Sequence, residues 1–236
     1  MKHTMTRFAS MILALIMLLS ILVVPVSAAT PFKDVPESAW YYEAVEYVTS
    51  RGWMSGVNAK TFAPNKDVDR ALFVTVLARM AGVELDNTQV VFDDVPAGRY
   101  YTGAVAWAHE KGIVEGIGHN KFAPTKSISR QELCTMILRF VNAMEYELEE
   151  GEPKTFTDEN TISTWAKEGV AKVSAIGLVA GYEDGTFRPK ATTTRAHVAQ
   201  IIMRLDKILQ GTPEDPVPMP AQSFNGDAGE DMTVSV

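Results

Sequence analysis

The chain is 236 residues long, with 22 basic and 29 acidic side chains, a net charge of −7 and a single cysteine. That length suits one ordinary domain or a few small repeats. The acidic balance argues against long-range attraction of an anionic polymer, no nucleic-acid partner is expected, and the lone Cys134 excludes an intramolecular disulfide.

The first 28 residues differ in kind from the rest. Lys2 and Arg7 are followed by an uncharged run from Phe8 to Val26 and then by Val26-Ser27-Ala28-Ala29. A basic start, an apolar middle and a small-residue site make residues 1–28 a predicted signal peptide, so the product is expected to be secreted. The run is nearly long enough to span a bilayer, which leaves a retained anchor as the alternative. Pro25 and the small residues after it favour cleavage after Ala28, with no membrane contact afterwards. Removal of this segment leaves 20 basic against 29 acidic residues, a net charge of −9.

From Phe32 onward the sequence is written three times. Gly52, Gly112 and Gly177 correspond, as do Gly56, Gly116 and Gly181, and the register continues through Phe62, Phe122 and Phe187. It then holds through Pro64, Pro124 and Pro189 to Arg70, Arg130 and Arg195. Agreement across glycine, aromatic, proline and arginine at fixed spacing defines an internal repeat. The copies are placed at residues 30–90, 91–151 and 152–210.

Each copy predicts two helices. In the first helix, apolar residues recur at i, i+3, i+4 and i+7: Tyr41, Ala44, Val45 and Val48, then Tyr101, Ala104, Val105 and Ala108, then Ala166, Gly169, Val170 and Val173. Gly52, Gly112 and Gly177 stand where a helix end favours positive φ. The second helix repeats the spacing in Phe73, Val76, Leu77 and Met80, in Leu133, Met136, Ile137 and Phe140, and in Val198, Ile201, Ile202 and Leu205. Asp69, Ser129 and Thr194 are of N-cap type, and Ser129 with Glu132 makes a capping box that Leu72 and His197 cannot complete in the other copies. Cys134 falls within this apolar pattern and reads as a small buried hydrophobe. One helix pair cannot bury its own apolar face, so three must pack together. The expected architecture is all-α: three helix-loop-helix units, with the second helices as a central bundle and grooves between units.

These marks resemble the S-layer homology repeats that attach bacterial surface proteins to wall polymers. The likeness rests on Phe32-x-Asp34-Val35 and Phe92-x-Asp94-Val95, the aromatic that opens the first helix, the paired glycines, the Phe-x-Pro, and the hydroxyl-Arg-x-Glu helix start. It covers residues 32 to about 209. The resemblance implies a pseudo-threefold assembly whose grooves bind a secondary cell-wall polysaccharide, often bearing ketal-linked pyruvate. It also implies a cell-wall or cell-surface location.

The residue chemistry suits that task. An arginine in the first turn of a helix adjoins unpaired backbone N–H groups and the positive end of the dipole, and its planar fork can hold a carboxylate. Arg70, Arg130 and Arg195 stand there. Trp40, Tyr100 and Trp165 offer a ring face for a sugar. With Asp34, Asp94, Asp158, Gly56, Gly116 and Gly181, these are the candidate polysaccharide-binding residues. Structural roles stand beside each: the arginines could pair with the aspartates and pin one unit to the next, the aspartates could cap turns, the aromatics could pack into the core, and the glycines could serve only their turns. Because Asp69 is negative where a hydroxyl is usual, the second copy ranks first as a binding site, the third next and the first last.

No activated nucleophile, phosphate loop or metal-ligand spacing is present; His109 and His119 are ten apart, not four. An enzyme is not expected, nor is any cofactor. The rival reading is a helical scaffold for a protein partner. Glu147, Glu149, Glu150 and Glu152 read as a solvated linker. Residues 211–236 hold four prolines, five acidic residues and no basic one, a composition that predicts disorder and a segment through which a protein partner could be recruited.

Overall fold

The computed structural model describes residues 30–148 and 151–211. The predicted signal peptide, the centre of the acidic linker and the tail beyond Gly211 lie outside the described residues.

Among the described residues, six α-helices form where the apolar periods place them. They are α1 (Tyr42–Ser50), α2 (Arg70–Met80), α3 (Thr102–Glu110), α4 (Arg130–Ala143), α5 (Lys167–Ala175) and α6 (Arg195–Leu209). No β-strand occurs among the described residues. Two 3-10 turns, Glu159–Thr161 and Thr164–Ala166, precede α5. They fall in the copy that carries Glu159 where the others carry Val35 and Val95. Gly52, Gly112 and Gly177 have φ of +71°, +71° and +73°, the left-handed turn that ends α1, α3 and α5.

The second helices are capped as their sequences dictate. The Ser129 hydroxyl accepts from the Glu132 N–H while the Glu132 carboxylate accepts from the Ser129 N–H, so the capping box is complete. Asp69 accepts from the Leu72 N–H at 2.7 Å. Thr194 makes no such backbone cap; its hydroxyl meets the His197 ring instead, 2.6 Å from Nδ1.

Helix packing runs between copies. The second helix of one copy lies against the first helix of the next: α2 with α3, α4 with α5, and α6 back with α1. Small residues set the approach at these contacts. A Cβ on Gly169 would stand 2.9 Å from the Thr135 Cα, and one on Gly103 would stand 2.7 Å from the Asp86 carbonyl oxygen, so the first helices approach backbone of the preceding copy closely.

What joins the three helix starts is backbone. The Arg70 and Ala71 N–H groups donate to Lys126 O and Pro124 O of the second copy. Arg130 and Gln131 donate to Ala191 O and Pro189 O of the third, and Arg195 and Ala196 donate to Lys66 O and Pro64 O of the first, all six at 2.9 to 3.0 Å. Short bridges (Asp67 with Thr194, Asp69 with Ser127, Ser129 with Thr192) lie beside them. Two orphan donors at each helix start are thereby satisfied by another copy, and one contiguous apolar core, including Phe62, Phe122 and Phe187, runs through all three.

Candidate functional site

Each Phe-x-Asp aspartate closes a turn 28 residues or so further on. Asp34 accepts from the Phe62 and Ala63 N–H groups at 2.9 and 2.7 Å. Asp94 takes those of Phe122 and Ala123, both at 2.8 Å, and Asp158 takes those of Phe187 and Arg188 at 2.7 and 2.8 Å. The second member of each pair, Ala63, Ala123 or Arg188, is held at φ of +60°, +58° or +54°. A non-glycine residue in that region carries a conformational cost, and two charge-assisted hydrogen bonds offset it.

The arginine of the preceding copy reaches the same turn from the other side. Arg70 Nε donates to Phe122 O at 2.9 Å, Arg130 Nε to Phe187 O at 2.8 Å and Arg195 Nε to Phe62 O at 2.7 Å. Each guanidinium also lies over the ring of that phenylalanine, 4.5 to 4.8 Å from its centroid. Arginine and aspartate therefore meet through a turn, and neither forms an ion pair with the other among the described residues. Burial lowers the pKa of all three arginines, which nevertheless stay charged at any physiological pH.

The first-turn N–H groups expected to receive an anion are occupied. The backbone donors of Arg70, Arg130 and Arg195 already bond carbonyls of another copy, so what these three residues offer an anion is the guanidinium. Here the three sites diverge. Arg130 Nη2 donates to Ala180 O at 2.9 Å and Arg195 Nη2 to Ser55 O at 2.5 Å. Their Nη1 groups have no partner among the described residues. At Arg70, Nη1 meets the Glu132 carboxylate at 3.1 Å.

The glycines lie beneath the first phenylalanine of each copy. A Cβ on Gly56, Gly116 or Gly181 would collide with Phe32, Phe92 or Phe156, and also with loop carbonyls. The space is filled by the chain itself. The residue after each glycine, Val57, Ile117 or Tyr182, bonds back across its loop; in the third copy Tyr182 lies 4.9 Å from the Arg130 guanidinium and 4.1 Å from that of Arg188.

The three aromatics are exposed: Trp40 by 43%, Tyr100 by 51% and Trp165 by 55%, and so do not belong to the core. The Trp40 ring lies 4.9 Å from the His197 ring. Burial first, then the charge of Arg130, lowers the His197 pKa to about 4, which places Trp40, His197 and Arg130 about one region. Tyr100 stands near Asp69, Arg79 and Arg195; its phenol is pushed up to about 12, chiefly by burial and then by Asp69. The contacts of Glu132, Tyr182 and His197 with this system were not foreseen from sequence, although the alignment of Tyr182 with Val57 and Ile117 marks the position.

Among the described residues, no group of three or more His, Cys, Asp or Glu side chains could hold a metal, and no helix is long and apolar enough to cross a membrane.

The family whose model matches is described as the S-layer homology domain, at residues 31–71, 91–134 and 155–199. An amylopullulanase of Thermoanaerobacterium thermosulfurigenes is 33% identical over 74% of this chain and 9% of its own length. An S-layer protein of Bacillus thuringiensis subsp. finitimus is 30% identical over 78% of this chain and 22% of its own. A cellulosome-anchoring protein of Acetivibrio thermocellus is 26% identical over 74% of this chain and 38% of its own. The chain thus spans well under half the length of these relatives.

Proposed function

This chain belongs to the S-layer homology domain family, and on that premise we propose that it attaches non-covalently to the bacterial cell wall by holding an anionic, pyruvate-bearing secondary wall polysaccharide in grooves between its repeats. The observation that carries this reading is the unpartnered Nη1 of Arg130 and Arg195. Each guanidinium is fixed by two backbone carbonyls and a phenylalanine ring, so a carboxylate meets a donor already oriented. Exposed Trp40 and Tyr100 stand near these two arginines and supply a face for the sugar ring beside the charge.

The bond order, first copy to second, second to third and third to first, supports a pseudo-threefold closure that repeats the groove around the molecule. A repeating polymer that engages one groove meets the next as an intramolecular event, so modest affinity per groove suffices. With a net charge of −9 after removal of residues 1–28, recognition rests on short-range contact. Residues 1–28 act as the secretion signal in this reading, which assigns the chain a wall-binding and not a catalytic role.

Sedimentation of the chain from Ala29 onward with purified bacterial walls tests it. The chain pellets with intact walls and stays in solution once the secondary polymer has been stripped. Equal pelleting with both, or with neither, defeats the reading, and the second outcome makes a protein partner the leading alternative.

A further inference from the structure

The three exposed aromatics differ in what holds them. Among the described residues Trp40 has two ring neighbours: Tyr41, 5.2 Å away at 86°, and the His197 imidazole, 4.9 Å away at 46°. Tyr100 has the first kind of neighbour, Tyr101 at 5.1 Å and 86°, and nothing in the place of the second. Trp165 is followed by Ala166 and has no ring contact among the described residues. Ring pairs at these separations and tilts attract beyond the area they bury. The Trp40 indole is therefore the best fixed of the three, although 43% of the residue is exposed.

His197 is itself held in place. It is buried, and its Nδ1 lies 2.6 Å from the hydroxyl of Thr194, the residue that opens its own helix. That hydroxyl would ordinarily accept from a backbone N–H of the first turn; here it is turned to the ring. Burial and then the charge of Arg130 lower the His197 pKa to about 4, so at neutral pH the imidazole is a flat, uncharged ring. Leu72 and Glu132 occupy the equivalent place in the other copies and have no ring to offer. Packing of α6 on α1 brings this imidazole of the third copy against the indole of the first. Arg130, from the second copy, is fixed by the Phe187 and Ala180 carbonyls of the third. The Arg130 groove thus draws on all three copies.

We propose that His197 is a positioning residue of the Arg130 groove: held by Thr194, its ring sets the Trp40 indole, so that the groove presents an aromatic face and a guanidinium already arranged. The inference rests on the wall-binding reading and extends it. The ligand that fits is an acidic sugar, with an apolar ring face for Trp40 and a carboxylate for Arg130. His197 acts without touching that ligand. Order present before binding lowers the cost of association, and the histidine supplies it through the indole.

The test uses the chain from Ala29 onward, labelled with 5-fluorotryptophan, and the soluble acidic polysaccharide released from bacterial walls, with folding checked by circular dichroism melts. Trp40→Phe identifies the Trp40 fluorine resonance among those of the four tryptophans. His197→Gln keeps a partner for Thr194 and removes the ring. It should shift and broaden the Trp40 resonance, leave those of Trp53 and Trp107 in place, and weaken binding about threefold or more in calorimetry at neutral pH. His197→Phe, which restores a ring, should return the affinity to within about twofold of wild type. In a Trp40→Ala background His197→Gln should cost nothing further, as expected of a residue that acts through another. If wild type binds and His197→Gln leaves either the Trp40 resonance or the affinity unchanged, or costs as much without Trp40 as with it, the positioning role is refuted while wall binding stands. If wild type does not bind at all, the wall-binding reading itself falls, and this inference with it.

Discussion

Replacing Asp94 by alanine removes both acceptors of the turn that Arg70 grips from the opposite side. The Phe122 and Ala123 N–H groups, each at 2.8 Å from the carboxylate, lose a charged partner. A hydrogen bond to a charged group contributes about 1.5–3 kcal/mol. Phe122 is fully buried and its N–H cannot readily turn to water, whereas Ala123 is partly exposed and recovers some hydration. Ala123 also sits at φ +58°, a conformation that costs about 1 kcal/mol and is no longer held. The loss comes to about 3 kcal/mol, which for a body of this size lowers the melting temperature by roughly 6–12 °C. Asp94→Asn keeps one carbonyl oxygen and should lose about half as much. Circular dichroism melts of the three proteins measure this. An alanine variant that melts within about 2 °C of wild type but fails to bind walls would refute the reasoning, because Asp94 would then be a ligand contact and not the holder of the turn.

Three further outcomes are expected. His197 has its pKa lowered to about 4 by burial and by Arg130, so the fold favours its neutral form: the stabilisation is full above the unfolded value of about 6.5 and is lost as the pH falls from there to about 4. His197→Gln should therefore flatten the acid-side fall in melting temperature, worth up to about 3 kcal/mol, and an unchanged slope would contradict it. Gly56→Ala drives a methyl group into Phe32 and two loop carbonyls and should cost about 2 kcal/mol or more in urea unfolding; a neutral result would mean that the loop yields freely. The Cys134 thiol, fully buried and pushed up to about 12, should resist an aromatic disulfide reagent in the native protein and react fully in concentrated guanidinium chloride.

The helices were legible because their apolar faces recur three times at the same phase. Ala44, Val45 and Val48 of α1 are buried, as are Val198, Ile201, Ile202 and Leu205 of α6, and Asp69, Ser129 and Thr194 each immediately precede a second helix. The pairing of those helices was not legible. Periodicity says which face is apolar but not which helix covers it, and α1 is covered by α6 from the far end of the chain. The site was legible as a set of residue types. Its wiring was not, since Arg195 bonds Phe62 and Ser55 across more than 130 residues, and no local pattern encodes a carbonyl acceptor. The reading of Glu132 shows both sides: its role in the capping box follows from the spacing to Ser129, while its contact with Arg70 62 residues away appears only once the copies are packed.

Carboxylate recognition by fixed arginines is the central claim, and the polymer can be altered more cleanly than the protein. Calorimetric titration of the chain from Ala29 onward should be run with the acidic wall polysaccharide before and after its carboxylates are reduced to alcohols. The account predicts that binding falls by about a hundredfold or more when two charge-assisted contacts are removed together. Undiminished binding of the reduced polymer would contradict it and would assign recognition to the sugar rings and exposed aromatics alone.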